Sequence, residues 1–373
     1  MNKINFIKQV LSLSAVAIFL LSACKRDRTF PTDPKPYATV GAYVLCEGAF
    51  SATTNSSSSS ITYYDLTTST SNKDYFKTQN GTDLGANAND LKQYGSKMYC
   101  VITGTTVAAK DSYLEVINIA NGKSLKRIPF FDATKGFMPR FVVFYKDKAY
   151  ISGYDGYVSK VDTSNLTIES RLAVGGALEG LTIVNNKLYV ANSSHLYYPN
   201  ANNSSVSVVD LNTFTKVKDI PVSFNPIKVV ATENGDLFTV TKGNYADISA
   251  SLDKLSSIND TKTQSISVNL FALNFNGNTG YAIVDNGWPN PNTLKTMNAS
   301  TGAIGSNFVA DGTVISSYYA VTVNTLNNDV FVADANNYAL EGKVFCFGAD
   351  GKKKFEFASG SLPQSVVFKY LYK

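Results

Sequence analysis

Histidine and tryptophan are nearly missing from this chain, each occurring once in 373 residues, and cysteine occurs four times. A single histidine excludes a multi-histidine metal centre. No Ser/His/Asp order, phosphate loop or dinucleotide fingerprint stands in the right context, so the familiar hydrolase and nucleotide-binding signatures are absent. Charged residues make up only 17% and the formal net charge is +5, which gives no basic face for nucleic acid. Beyond the first two dozen residues no segment carries a 3.6-residue apolar stripe, so the body of the chain is not read as helical.

What is present begins at the N-terminus. Lys3 and Lys8 precede an apolar stretch, Val10 to Leu21, which ends in Leu21-Ser22-Ala23-Cys24. That is too short to span a membrane and reads as a removed signal segment, residues 1–23. A cysteine directly after Leu-Ser-Ala resembles the bacterial lipobox, which implies that Cys24 carries the lipid. Several acyl chains on one cysteine anchor stably where a single chain is marginal. Removing the segment takes away Lys3 and Lys8 and no acid, so the net charge falls from +5 to +3. Residues 24–39, polar and proline-rich at first, read as a flexible tether, and 40–373 as the folded domain.

Cys46, Cys100 and Cys346 remain. No two have metal-ligand spacing and all three sit in apolar, strand-like runs. They are expected to be buried, inert thiols, with one disulfide plus one free cysteine as the alternative.

The strongest signal is a repeat. An aromatic in a short apolar run recurs at Tyr43, Tyr99, Tyr150, Tyr189, Phe238, Tyr281 and Phe331, at spacings of 39 to 56 residues. A second landmark follows each one: Asp65, Asn118, Asp162, Asp210, Asn259, Asn298 and Gly348. Between and after them lie short alternating runs separated by Asn, Asp and Gly turns, which argues for all-β structure with four strands per unit. A third landmark, proline at 139, 226 and 363, marks the start of an inner strand, where no ladder donor is needed. Seven four-stranded units predict a seven-bladed β-propeller. The run after Pro363 is an inner strand with nothing following it, while 42–46 and 61–65 are strands with no inner strand before them. Joining the two ends completes the seventh blade and removes the open edge.

Leu188-Tyr-Val-Ala-Asn-Ser193, Val206-Ser-Val-Val-Asp210 and Pro221-Val-Ser-Phe-Asn-Pro226 resemble YVTN-type repeats, the group that contains YncE-like proteins. With the lipobox, the chain resembles propeller lipoproteins of Bacteroidota. Some of these sit on the cell surface and capture cobalamin for a TonB-dependent outer-membrane transporter. The resemblance implies an outer-membrane lipoprotein, facing the cell surface or the periplasm, that binds a ligand; it carries no binding residue onto this sequence. Pyrroloquinoline-type propellers rely on repeated tryptophan docking motifs, which one Trp cannot supply, and no cofactor is expected.

Turn lengths are lopsided. Second-to-third-strand connections are long in most blades (50–60, 103–111, 192–205, 243–253, 286–293 and 335–342), while the turns at the other end are tight. The long connections carry His195, Tyr197, Tyr198, Tyr245, Trp288 and Tyr338 among Asn, Ser and Gly, a composition suited to recognising a large, partly planar or sugar-like ligand. At the channel mouth the segments that enter the inner strands supply Asn89, Asp90, Arg140, Glu179, Asn225, Tyr319 and Gln364. Three readings follow. The first is a non-catalytic binding lipoprotein that captures a bulky nutrient such as cobalamin. The second is a protein-interaction or envelope scaffold. The third is a metal-assisted hydrolase or lyase, with Glu179, Asn225 and Asp90 as candidate Ca²⁺ ligands.

Overall fold

The computed structural model of the chain describes residues 34–53, 56–195, 202–338 and 341–373. Cys24, Tyr197 and Tyr198 therefore lie outside the described residues. Among the described residues no helix is long and apolar enough to cross a membrane.

Seven four-stranded antiparallel sheets form a ring. Blades 1 to 6 each run through four consecutive strands and begin on the inner strands Ala88–Tyr94, Pro139–Tyr145, Ala177–Val184, Pro226–Ala231, Leu270–Asn276 and Tyr318–Asn324. Blade 7 joins the chain ends: its inner strand Pro363–Tyr372 pairs with Pro36–Cys46, followed by Ser60–Asp65 and Thr70–Asn72. The closure expected from sequence is thus observed. Pro36–Cys46 begins inside the span read as tether, so residues 36–39 belong to a strand. Two compact units result. One is the propeller, Ala38–Leu371, and the other is Met1–Tyr37 with Tyr372–Lys373, where the main chains of Lys35 and Lys373 exchange hydrogen bonds at 3.1 Å.

The seven recurring aromatics have one job each. All are at most 4% exposed, and each falls in a different hydrophobic cluster, one per seam between neighbouring blades. Tyr43 also donates to the Ile119 carbonyl at 2.7 Å, and Tyr189 to Asp260 at 2.6 Å, so a polar tip latches onto the adjoining blade. The second landmark is a turn device. Asp65, Asn118, Asp162, Asp210 and Asn298 each accept hydrogen bonds from main-chain N–H groups two or three residues on, closing the hairpin to the outer strand. Asn259 does not belong to this series. Its strand ends at Ser256, whose hydroxyl accepts from the Asn259 N–H, so serine has taken over the acceptor.

One element escapes the all-β reading. The outer strand of blade 7 is three residues long, and helix Tyr75–Asn80 follows it. The helix buries Phe76 in the seam between blades 7 and 1 and stops at Gly81, which is left-handed at φ 69°. Six residues are too few to show a helical period. Cys46, Cys100 and Cys346 are buried and unbridged, with burial pushing the Cys46 thiol up to about 11 and Cys346 up to about 12. No disulfide links them.

Candidate functional site: the long-loop face and channel mouth

Each inner strand runs away from the long-loop face, and in blades 1 to 6 its register slips by one residue near its start. Such a bulge breaks the in/out alternation, so the first residues of the strand can turn successive side chains toward the axis. Asn89, Arg140, Glu179 and Tyr319 reach the channel mouth this way, joined from blade 7 by Gln364 and by Glu47, the residue after Cys46.

Two networks rim the mouth. The Arg140 guanidinium donates from Nε to Glu179 Oε2 at 3.1 Å and from Nη2 to Oε1 at 3.3 Å, and the Tyr154 hydroxyl donates to the same Oε1 at 2.8 Å. Arg140 also lies over the Tyr154 ring, 4.6 Å from its centroid. Burial opposes the guanidinium charge, but Glu179 more than offsets it and holds Arg140 above its ordinary value. On the other side Tyr319 and Gln364 both donate to Glu47 Oε2 at 2.7 Å. Burial and then Glu47 raise the Tyr319 hydroxyl well above the usual phenol range, so it stays a donor.

Outside this rim, on the long-loop face, a cavity of about 700 Å³ is lined by Phe50, Thr103–Ala108, Met138, Tyr154 and His195, with Glu47, Asn89 and Arg140 at its floor. The His195 ring lies 4.2 Å from the Tyr154 ring, tilted by 40°. Burial, then Arg140, lowers the His195 pKa below its ordinary 6.5. The imidazole is therefore neutral at neutral pH, the form that ligates metals. Below the rim the channel continues as a cavity of about 570 Å³.

The remaining candidates are dispersed. Tyr338 is half exposed and meets Tyr319 edge-on at 6.0 Å. Tyr245 is 82% exposed and Trp288 96% exposed, and both lie outside the lining of these two cavities. Asn225 is a correction: it is buried and left-handed (φ 60°) and holds a loop together. Its Oδ1 accepts from Ser193 Oγ at 2.6 Å and from the Ser194 N–H at 3.1 Å, and its Nδ2 donates to Gly243 O. Asp90 accepts the Val142 N–H at 3.1 Å, and Glu179 is engaged by Arg140 and Tyr154. These three do not converge as Ca²⁺ ligands, and among the described residues no group of three His, Cys, Asp or Glu could hold a metal. Glu47, Phe50, Met138 and Tyr154 are site residues that the sequence did not single out. Glu47 sits directly after the blade 7 landmark, and Tyr154 in the one blade whose second-to-third-strand turn is tight.

The architecture is that of a closed seven-bladed propeller with a walled cavity on one face. A family described as a domain of unknown function (DUF5074) matches residues 40–332, and the chain belongs to that family. No curated protein sequence matches it. Among solved structures it is similar to a quinonprotein alcohol dehydrogenase-like protein from Bacteroides thetaiotaomicron (14% identity, 90% of this chain and 79% of the other, TM-score 0.63). It is also similar to a Bacteroides fragilis protein provisionally assigned as a 6-phosphogluconolactonase (12% identity, 90% and 100% covered, TM-score 0.60). Such likenesses establish the fold and leave the chemistry to the site.

Proposed function

We propose that this protein is a non-catalytic binding propeller, anchored through Cys24 in the outer membrane, that captures a bulky nutrient on its long-loop face for a TonB-dependent transporter. Cobalamin or a related corrinoid is the ligand named by the resemblance of its repeats and lipobox. The observation that supports this reading is the cavity of about 700 Å³ beside the channel mouth. Its volume lies within the roughly 300–1,000 Å³ of small-molecule sites. Apolar walls, the Tyr154–His195 ring pair and a few fixed polar groups suit a large ligand with a flat, metal-bearing core. Strand Pro36–Cys46 leads directly into Glu47, one of the residues that line this cavity.

Calorimetry against cyanocobalamin tests the reading. The protein is expected to bind saturably, and His195→Ala to lose tenfold or more in affinity. No binding by the parent would overturn the assignment of ligand. A scaffold role is the second reading, supported by Trp288 and Tyr245 standing free on neighbouring blades. A hydrolase has less support, because Glu179, which acts on His195, is held by Arg140 and Tyr154, and Glu47 in the same cavity accepts from Tyr319 and Gln364.

A further inference from the structure

Deeper in the channel, four of the seven residues on one level of the ring are small: Gly180, Ala272, Ala320 and Ser365. At the second position past the start of each inner strand stand Asp90, Phe141, Lys228, Ala272, Ala320 and Ser365, with Gly180 at the matching place in blade 3. All seven line the cavity of about 570 Å³. Lys228 is flanked by Gly180 and Ala272, on the inner strands of the two adjoining blades. Gly180 has to be glycine there: a Cβ would stand 2.7 Å from the Lys228 Cα and 2.9 Å from the Ile227 carbonyl. The close approach of these strands and the small neighbours leave open space around the Lys228 ammonium.

The charges of this channel pair off with one left over. Arg140 is matched by Glu179, Lys92 lies 3.7 Å from Asp90, and Glu47 accepts from Tyr319 and Gln364. Among the described residues the Lys228 ammonium makes no hydrogen bond or ion pair. The charged groups that face it are Lys92 and Asp90 from across the channel. Of the neighbouring strands, blade 3 offers only the committed Glu179 and blade 5 no ionisable group, while Asp236 on its own blade pairs with Lys254. An enclosed cation whose facing carboxylate, Asp90, already has Lys92 beside it is under-compensated, and an incoming anion relieves it.

We propose that the central channel binds a small oxyanion on Lys228, with Lys92 as the second cation. The oxyanion is a sulfate-like ion or a small carboxylate, since both present the same acceptor oxygens. Burial, then Lys92, pushes the Lys228 amine down to about 8, against Asp90. The site is therefore charged and receptive below that pH and loses its charge above it.

Titration calorimetry with sodium sulfate and with sodium acetate tests this, since neither anion changes protonation between pH 7 and 9. Saturable binding of at least one is expected, and the tighter of the two identifies an inorganic or a carboxylate ligand. Affinity should fall about tenfold between pH 7 and pH 9 as Lys228 loses its proton. Lys228→Met should cost tenfold or more and Lys92→Met about threefold. Should Lys228→Met fail to fold, Lys228→Gln reads the same loss of charge. If neither anion binds the parent protein, or if removing the Lys228 charge leaves binding and its pH dependence intact, the proposal is overturned. The cyanocobalamin titration reads the loop-face cavity, so each assignment can fail without the other.

Discussion

The two halves of the long-loop face are built to different plans. Blades 7, 1, 2 and 3 turn inward: Glu47, Phe50, Asn89, Arg140, Tyr154 and His195 enclose a cavity, and the polar tips of Glu47, Asn89, Arg140 and Tyr154 are fixed by hydrogen bonds within the rim. Blades 4, 5 and 6 turn outward, presenting Tyr245, Trp288 and Tyr338 on projecting loops, with Trp288 96% exposed. Aromatic content alone does not distinguish these plans. A preorganised wall and a free-standing ring both read as aromatics among Asn and Ser, and only the packing beneath them differs. Fixed groups recognise a ligand at low ordering cost, whereas exposed rings gain their value when a partner covers them.

The sharpest way to break this contrast is to remove Arg140. Arg140→Met strands the Glu179 carboxylate in a site where both side chains are less than a fifth exposed. Leaving one partner of a buried pair costs about 3–5 kcal/mol, so a clear fall in melting temperature is expected. Arg140→Met with Glu179→Gln should recover much of it. If the single substitution melts like the parent, the inward half is not held by this pair.

A smaller effect is expected from pH. The folded-state pKa of His195 is depressed, so its neutral form prevails at neutral pH and a proton is taken up only below the ordinary imidazole range. Affinity for cyanocobalamin should be flat from pH 8 to 6.5 and fall below that, and His195→Ala should remove the dependence. A profile unchanged in His195→Ala would place the titrating group elsewhere. The smallest effect belongs to the outward half. Trp288→Ala should leave the melting temperature within about 1 °C and weaken cyanocobalamin less than His195→Ala does. The reverse order would move the binding surface to blades 4 to 6.

The ring was legible in the sequence because its periodic residues are structural. Tyr189 must fill a seam and Asp210 must close a hairpin in every such unit, and these demands recur whatever the protein binds. The rim was only half legible. Arg140, Glu179 and Tyr319 follow strand starts that could be counted, but the bulge that turns them inward has no sequence period. Asn225 stands one residue before its strand rather than inside it, and its left-handed backbone sends its side chain into a loop. Glu47 escaped because it comes from the opposite end of the chain from its partner Gln364. Tyr154 escaped because it sits in a turn that is short while its neighbours' loops are long.

The pairing of Pro363–Tyr372 with Pro36–Cys46 also constrains the order in which the molecule can assemble. Glu47 and Gln364, 317 positions apart, meet only when the final strand arrives. Blades 1 to 6 can form locally, each from consecutive strands, but the first and last of them stay without a neighbour on one side until then. Loop-closure entropy rises only with the logarithm of length, so the wait is modest in free energy and long in time. A chain that stops early keeps an unpaired strand edge, the feature that invites association with other chains. Strand Pro363–Tyr372 therefore acts as a latch, and the ring has no free inner edge in blade 7 once it is in place.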